Sequence, residues 1–153
     1  MRAIILLPII AMATPLAAAD EAGLRPGLWV ESTAITGATL AGAPATTPLP
    51  APVTRQVCIA PVLAADPGRW FAEGNGNDAC TVSRTRVGSG RVELSGSCGA
   101  QGIADAARMQ SVGRYDGDDY ALDVATTMGD PDHAVIVRSR VVASRIGECA
   151  TAG

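Results

Sequence analysis

Four cysteines, one histidine, a knot of aspartates and a scattered set of arginines are the residues of this chain whose types could do chemistry. Cys58, Cys80, Cys98 and Cys149 make an even count, which in an exported chain favours disulfides over metal ligation or nucleophilic work. None of their spacings is the close pair that a zinc knuckle uses. His133 lies in the turn-like stretch Gly129-Asp130-Pro131-Asp132-His133, so no metal site is expected. The histidine has no recognisable serine or cysteine partner, and no nucleophile elbow is present. Glu73, Asp78, Asp130 and Asp132 sit in turns, with nothing to pair any two of them as acid and base. No catalytic residue is assigned, and the chain is not expected to be an enzyme.

Asp116, Asp118, Asp119 and Asp123 form the densest group of carboxylates, which is the chemistry calcium asks for. The other ligands of a calcium loop are missing, and aspartate is an ordinary hairpin-turn residue because it tolerates the left-handed backbone region. Arg138 and Arg140 share a strand face by period-two spacing, as do Arg84 and Arg86. Planar guanidinium forks suit carboxylate and phosphate, so Arg138 and Arg140 are a candidate anion-binding pair. All twelve basic residues are arginine, and a chain without lysine has no phosphate-binding loop of the strand–glycine–lysine–helix kind. A net charge of −3 and only 3% aromatic residues argue against a nucleic-acid partner. No cofactor is expected.

The amino terminus reads as an address. Met1-Arg2, an apolar stretch from Ala3 to Leu16 interrupted by Pro8 and Pro15, and Ala17-Ala18-Ala19 have the order of a secretory signal, with cleavage after Ala19. The run is too short and too broken to span a bilayer, and Asp20-Glu21 follow at once. No cysteine stands at the cleavage point for lipid attachment. Residues 20–153 are therefore expected to be one exported, periplasmic domain, without a transmembrane segment once the signal is removed.

Strand patterning dominates that domain. A strand is expected over 25–34, then an exposed, flexible loop over 36–52, rich in alanine, proline and threonine. Val53–Ile59 is the next strand, and a helical turn over 60–65 should be stopped by Pro67-Gly68, with Trp70-Phe71 packing this piece onto the sheet. Residues 80–87 and 91–98 match as a hairpin folded about Ser89 in the loop Gly88-Ser89-Gly90. That fold sets Cys80 opposite Cys98, Arg84 opposite Leu94 and Thr85 opposite Glu93. The buried face would carry Cys80, Val82, Val92, Leu94 and Cys98. A second hairpin, Met109–Tyr115 and Tyr120–Met128, turns through Asp116-Gly117-Asp118-Asp119, and 134–146 forms a last long strand; 100–108 has no clear assignment. The hairpin register pairs Cys80 with Cys98, and Cys58 with Cys149 follows by elimination. The expected fold is all-β or β-dominated: one antiparallel, strongly twisted sheet of about six strands, curled into a half-barrel or small barrel, with one short helix near 61–72 covering an opening.

Arg25-Pro26-Gly27-Leu28-Trp29 with Glu31, Gln56-Val57-Cys58-Ile59-Ala60-Pro61, Cys80-Thr81-Val82, Cys98, Tyr115-Asp116-Gly117-Asp118-Asp119-Tyr120 and Arg145-Ile146-Gly147-Glu148-Cys149 together resemble the domain-of-unknown-function 3617 family of small exported bacterial proteins. The resemblance spans nearly the whole mature chain. It implies periplasmic residence and a β-rich fold, and it brings no reaction or catalytic residues. The expected function is a non-catalytic periplasmic binding or envelope-accessory protein, with a small apolar ligand on the concave sheet face. The alternative is a protein–protein interaction module, an inhibitor or chaperone-like partner of an envelope enzyme, working through the 36–52 excursion or a sheet edge.

Overall fold

Period-two alternation of apolar and polar side chains runs through the strands from 80 to 147, and each of them hydrogen-bonds to its sequence neighbour. The computed structural model describes residues 23–74, 80–99, 107–130 and 132–150. Its elements are β1 (Gly27–Leu40), β2 (Ala43–Pro44), β3 (Val53–Ile59), α1 (Pro61–Ala64), α2 (Pro67–Arg69), a single π turn (Trp70–Gly74), β4 (Cys80–Gly88), β5 (Arg91–Cys98), β6 (Ala107–Tyr115), β7 (Asp119–Met128) and β8 (Val135–Gly147). All pairings are antiparallel, in one sheet of order β2-β1-β8-β7-β6-β5-β4, with β3 also on β1. The sheet curls as a half-barrel and does not close.

One face of the sheet carries the core. Trp29, Tyr120, Leu122, Ala143, Tyr115, Val92 and Leu94 point to it, and Ile59, Ala64, Trp70 and Phe71 pack onto them from β3 and the helical turns. Trp29, Trp70 and Phe71 are 0–1% exposed. Burying each contributes on the order of 4–6 kcal/mol, at roughly 25 cal/mol per Å² over 150–250 Å². Phe71 sits edge-on to Tyr120 at 5.3 Å between ring centroids, and Trp29 lies 5.6 Å from the same ring. Few aromatics therefore do much of the work, because they converge at one end of the sheet.

Four local features differ from the sequence expectation. First, β1 runs to Leu40, through the start of the segment expected as a loop at 36–52. Val135–Arg138 of β8 supply the ladder partners for Gly37–Leu40, and a bulge between Ile35 and Gly37 absorbs the irregularity. The chain then turns at Ala41-Gly42, both at positive φ, into the two-residue β2, and only 45–52 is exposed chain without strand pairing. The sheet thereby has eight strands rather than about six.

Secondly, Pro67 opens a new turn instead of ending one. Asp66 accepts a hydrogen bond from the Arg69 amide at 3.0 Å, a side-chain cap ahead of a proline at the first helical position. Thirdly, the β4–β5 turn has two residues, Ser89-Gly90, with φ of 48° and 73°, the geometry that matches strand twist. Arg84 consequently faces Ser95, Thr85 faces Leu94 and Arg86 faces Glu93. Fourthly, a bulge at Ser83, between Val82 and Arg84, shifts the register back by one, so Cys80 still meets Cys98. The signal assigned to 1–19 and the segment 100–106 lie outside the described residues.

Candidate functional site

Strand β1 places Glu31 on the core face, two residues beyond Trp29, and β3 sets Arg55 directly beside it. Glu31 is 5% exposed. Its Oε1 accepts from Arg55 Nε at 2.7 Å and its Oε2 from the Tyr120 hydroxyl at 2.6 Å, so both carboxylate oxygens have charged or polar donors. Burial, then the neighbouring Glu31 charge and the hydrogen bond to it, push the Tyr120 phenol far above its ordinary value, against weaker pulls from Arg55 and Trp70. Among the described residues, Trp70 Nε1 and Ser111 Oγ are buried on the same side without a hydrogen-bond partner. A general base needs a free lone pair within reach of substrate. Glu31 is held from solvent beneath Trp29 and Tyr120, and it ties β1, β3 and β7 together.

The opposite face of the sheet is the richer surface. Alternation sends Arg84 and Arg86 of β4, Arg91 of β5, Arg108 and Arg114 of β6, and Arg138 and Arg140 of β8 to this outer side. Glu93, Asp119 and Asp123 are the acids in the same strands on that side. Asp123 pairs with Arg140 at 3.0 Å and Glu93 with Arg86 at 3.6 Å. Arg84, Arg91, Arg108, Arg114 and Arg138 have no ion pair among the described residues. Arg91 stands directly opposite Arg114 across the β5–β6 ladder, a like-charge pairing that the sheet tolerates at its own cost.

Two hollows open on this face, of about 260 and 320 Å³. Arg114, Ala121 and Val142 line the first, which reaches the Asp116–Asp119 turn. Gln110, Val112, Ala125 and Arg138 line the second. Asp123 with its partner Arg140 stands between them, on the strand positions that separate Ala121 from Ala125. Val112 and Val142 are 56% and 42% exposed, large for apolar strand residues.

The residues singled out from the sequence fall into place unevenly. Cys58 and Cys149 stand at disulfide distance with Cα atoms 5.6 Å apart, and Cys80 and Cys98 do so with Cα atoms 3.8 Å apart. Arg138 and Arg140 share the outer face as spacing requires, but they divide: Arg140 is engaged by Asp123, and Arg138 lines a hollow. Arg84 and Arg86 belong to that same face at its far edge. Asp116 accepts from the amides of Asp118 and Asp119, the hydrogen bonds of a turn. His133 is 82% exposed and its ring meets Asp130 at 3.2 Å. Among the described residues, no group of three or more His, Cys, Asp or Glu is placed to hold a metal. Glu31 and Arg55 were not singled out as site residues by sequence, since a carboxylate two residues from a tryptophan and an arginine 24 positions on carry no motif. Val112 and Val142 were missed as well, because an apolar residue on the wrong strand face is visible only once the register is known.

No curated protein and no solved structure matches the chain. The family model described as "Protein of unknown function (DUF3617)" matches residues 24–149, from the buried Leu24 through every strand to Cys149, and the chain belongs to that family.

Proposed function

We propose that the protein is a non-catalytic interaction module of the bacterial cell envelope, exported to the periplasm and acting by docking its sheet onto another protein. The observation that carries this reading is where the free space lies. The helix-covered part of the inner face is filled by Trp29, Trp70, Phe71 and Tyr120, whereas both hollows are on the outer face with exposed valines beside them. A ligand chamber would leave the inner face concave and apolar; an interaction surface offers shallow apolar spots rimmed by arginine. Two cysteine pairs at bonding distance suit an oxidising compartment, and among the described residues no helix is long and apolar enough to cross a membrane.

A photo-crosslinking residue at Val112, in protein expressed in a bacterial host and exported, tests the reading. Discrete adducts at Val112, absent when the same residue replaces buried Val92, are expected. No adduct at any outer-face position ends the docking reading. A second reading, a small apolar ligand carried on the inner face, draws on Ile35, Val124, Val137 and Val141, which lie beyond the helical cover and are only half-buried. Native mass spectrometry of periplasmic material separates the two, since a carrier retains a lipid-sized mass.

A further inference from the structure

The outer face is charged against the rest of the molecule. Its seven arginines and three acids leave it at +4, while the chain as a whole is at −3, so everything else sums to −7. The positive charge is not spent on internal pairs. Arg114 in the wall of one hollow and Arg138 in the wall of the other have no ion pair among the described residues, and each hollow also has an exposed valine, Val142 or Val112. Asp116 and Asp119 border the first hollow and keep their charge, their oxygens held by turn amides and the Ser144 hydroxyl, and Arg114 with Arg91 opposite it across the ladder offsets them. The same pair of features therefore occurs twice: an apolar recess and an uncommitted guanidinium.

The spacing is defined by the sheet. Ala121 and Ala125 lie in the two hollows, four residues apart on β7, which is about 13 Å at roughly 3.3 Å per residue. A second extended chain has the same rise, so its side chains at i and i+4 match the two recesses. Headgroups of a membrane surface would meet the arginines but leave the recesses empty; a polypeptide uses both.

We propose, resting on the docking reading above, that the outer face binds an extended acidic protein segment that seats one apolar side chain in each hollow, four residues apart, with carboxylates against Arg114 and its neighbour Arg91 at one end and against Arg138 at the other. Guanidinium–carboxylate contacts set orientation and on-rate, and the apolar anchors set residence time.

The test uses the disulfide-bonded protein and a synthetic seven-residue peptide, Asp-Leu-Asp-Ser-Asp-Leu-Asp, followed by amide chemical shifts. Shifts confined to outer-face residues of β5, β6, β7 and β8 are expected. Arg114→Glu and Arg138→Glu, both at exposed positions, should each weaken the peptide by about tenfold or more, and Arg→Lys at the same positions should recover part of the loss. Moving the second leucine to i+3, or replacing the aspartates by lysine, should abolish binding. No shifts with about 1 mM peptide, shifts on the inner face, or equal binding by the Arg→Glu variants overturns the proposal. So does retention on phosphatidylglycerol vesicles, or self-association lost on the same substitutions, if either occurs without peptide binding. Crosslinking at Val112 that persists in the Arg114→Glu/Arg138→Glu protein would overturn this partner chemistry while leaving the docking reading in place.

Discussion

Tyr120 Oη lies 2.6 Å from Glu31 Oε2, and 89 residues of sequence separate them. The hydrogen bond joins β1 to β7 beneath the aromatic cluster although β8 runs between these strands, so it spans a neighbour that supplies only the small Ala143 on that face. Ala143 is opposite both Glu31 and Tyr120. Its methyl leaves the room in which the two long side chains meet.

Tyr120→Phe should cost about 1–3 kcal/mol, because it strips a donor from a buried carboxylate and leaves the packing intact. Replacing both partners, Tyr120→Phe with Glu31→Leu, should cost less than the sum of the single changes, since no buried charge is then left short of donors. Denaturant unfolding of the four proteins in this cycle measures the coupling. Additive losses would show that the hydrogen bond contributes nothing specific.

Alkali should act through the same group. The Tyr120 phenol is raised in the folded protein from its ordinary value of 10.0, so the folded state holds that proton more tightly than the unfolded chain does. The resulting stability is complete below pH 10 and declines as the pH rises above it. Stability measured from about pH 8 to pH 11 should fall less steeply in Tyr120→Phe than in the parent. Equal slopes would count against the assignment.

The two bridges should differ in weight. Cys58–Cys149 closes a sequence separation of 91 and Cys80–Cys98 one of 18. The chain-entropy account assigns about 4–5 kcal/mol to the long loop and about 3 to the short one. Removing Cys58 and Cys149 together should therefore lower the thermal midpoint more than removing Cys80 and Cys98. Peptide mapping of the unreduced protein checks the pairing itself, and a Cys58–Cys80 peptide would contradict the hairpin register.

Glycines in the sheet should separate sharply by position. A Cβ on Gly113 would lie 2.1 Å from the Ala121 carbonyl oxygen, and one on Gly96 would lie 2.2 Å from that of Thr81. Backbone has to move in both cases, so Gly113→Ala and Gly96→Ala should each cost about 1–3 kcal/mol. A Cβ on Gly37 meets nothing within 4 Å. Gly37→Ala should be neutral or stabilising by up to about 1 kcal/mol, through the unfolded chain. Thermal melts of the three variants decide it.

Strand identity, hairpin partners and cysteine pairing were legible in the sequence, since period-two alternation, Asp-Gly and Ser-Gly turns and arm lengths are local quantities. The Cys80–Cys98 pairing came out correctly from a hairpin folded about Ser89, although the turn is one residue shorter than that requires. The bulge at Ser83 restores what the turn removes. The end of β1 was not legible, because Thr36–Leu40 carries no apolar stripe and is strand only where β8 offers it a ladder.

By itself the sequence determined a β-sheet protein with two cysteine pairs, because residue type, parity and spacing need no partner to be read. The tertiary structure decided which residues share a surface. The Glu31–Arg55–Tyr120 tie needs β1, β3 and β7 brought together, and the outer arginine face needs one continuous register from β4 to β8. Arg84 and Arg138 are 54 positions apart in the chain, and only four consecutive cross-strand pairings, each fixing the face of the next strand, put them on the same side.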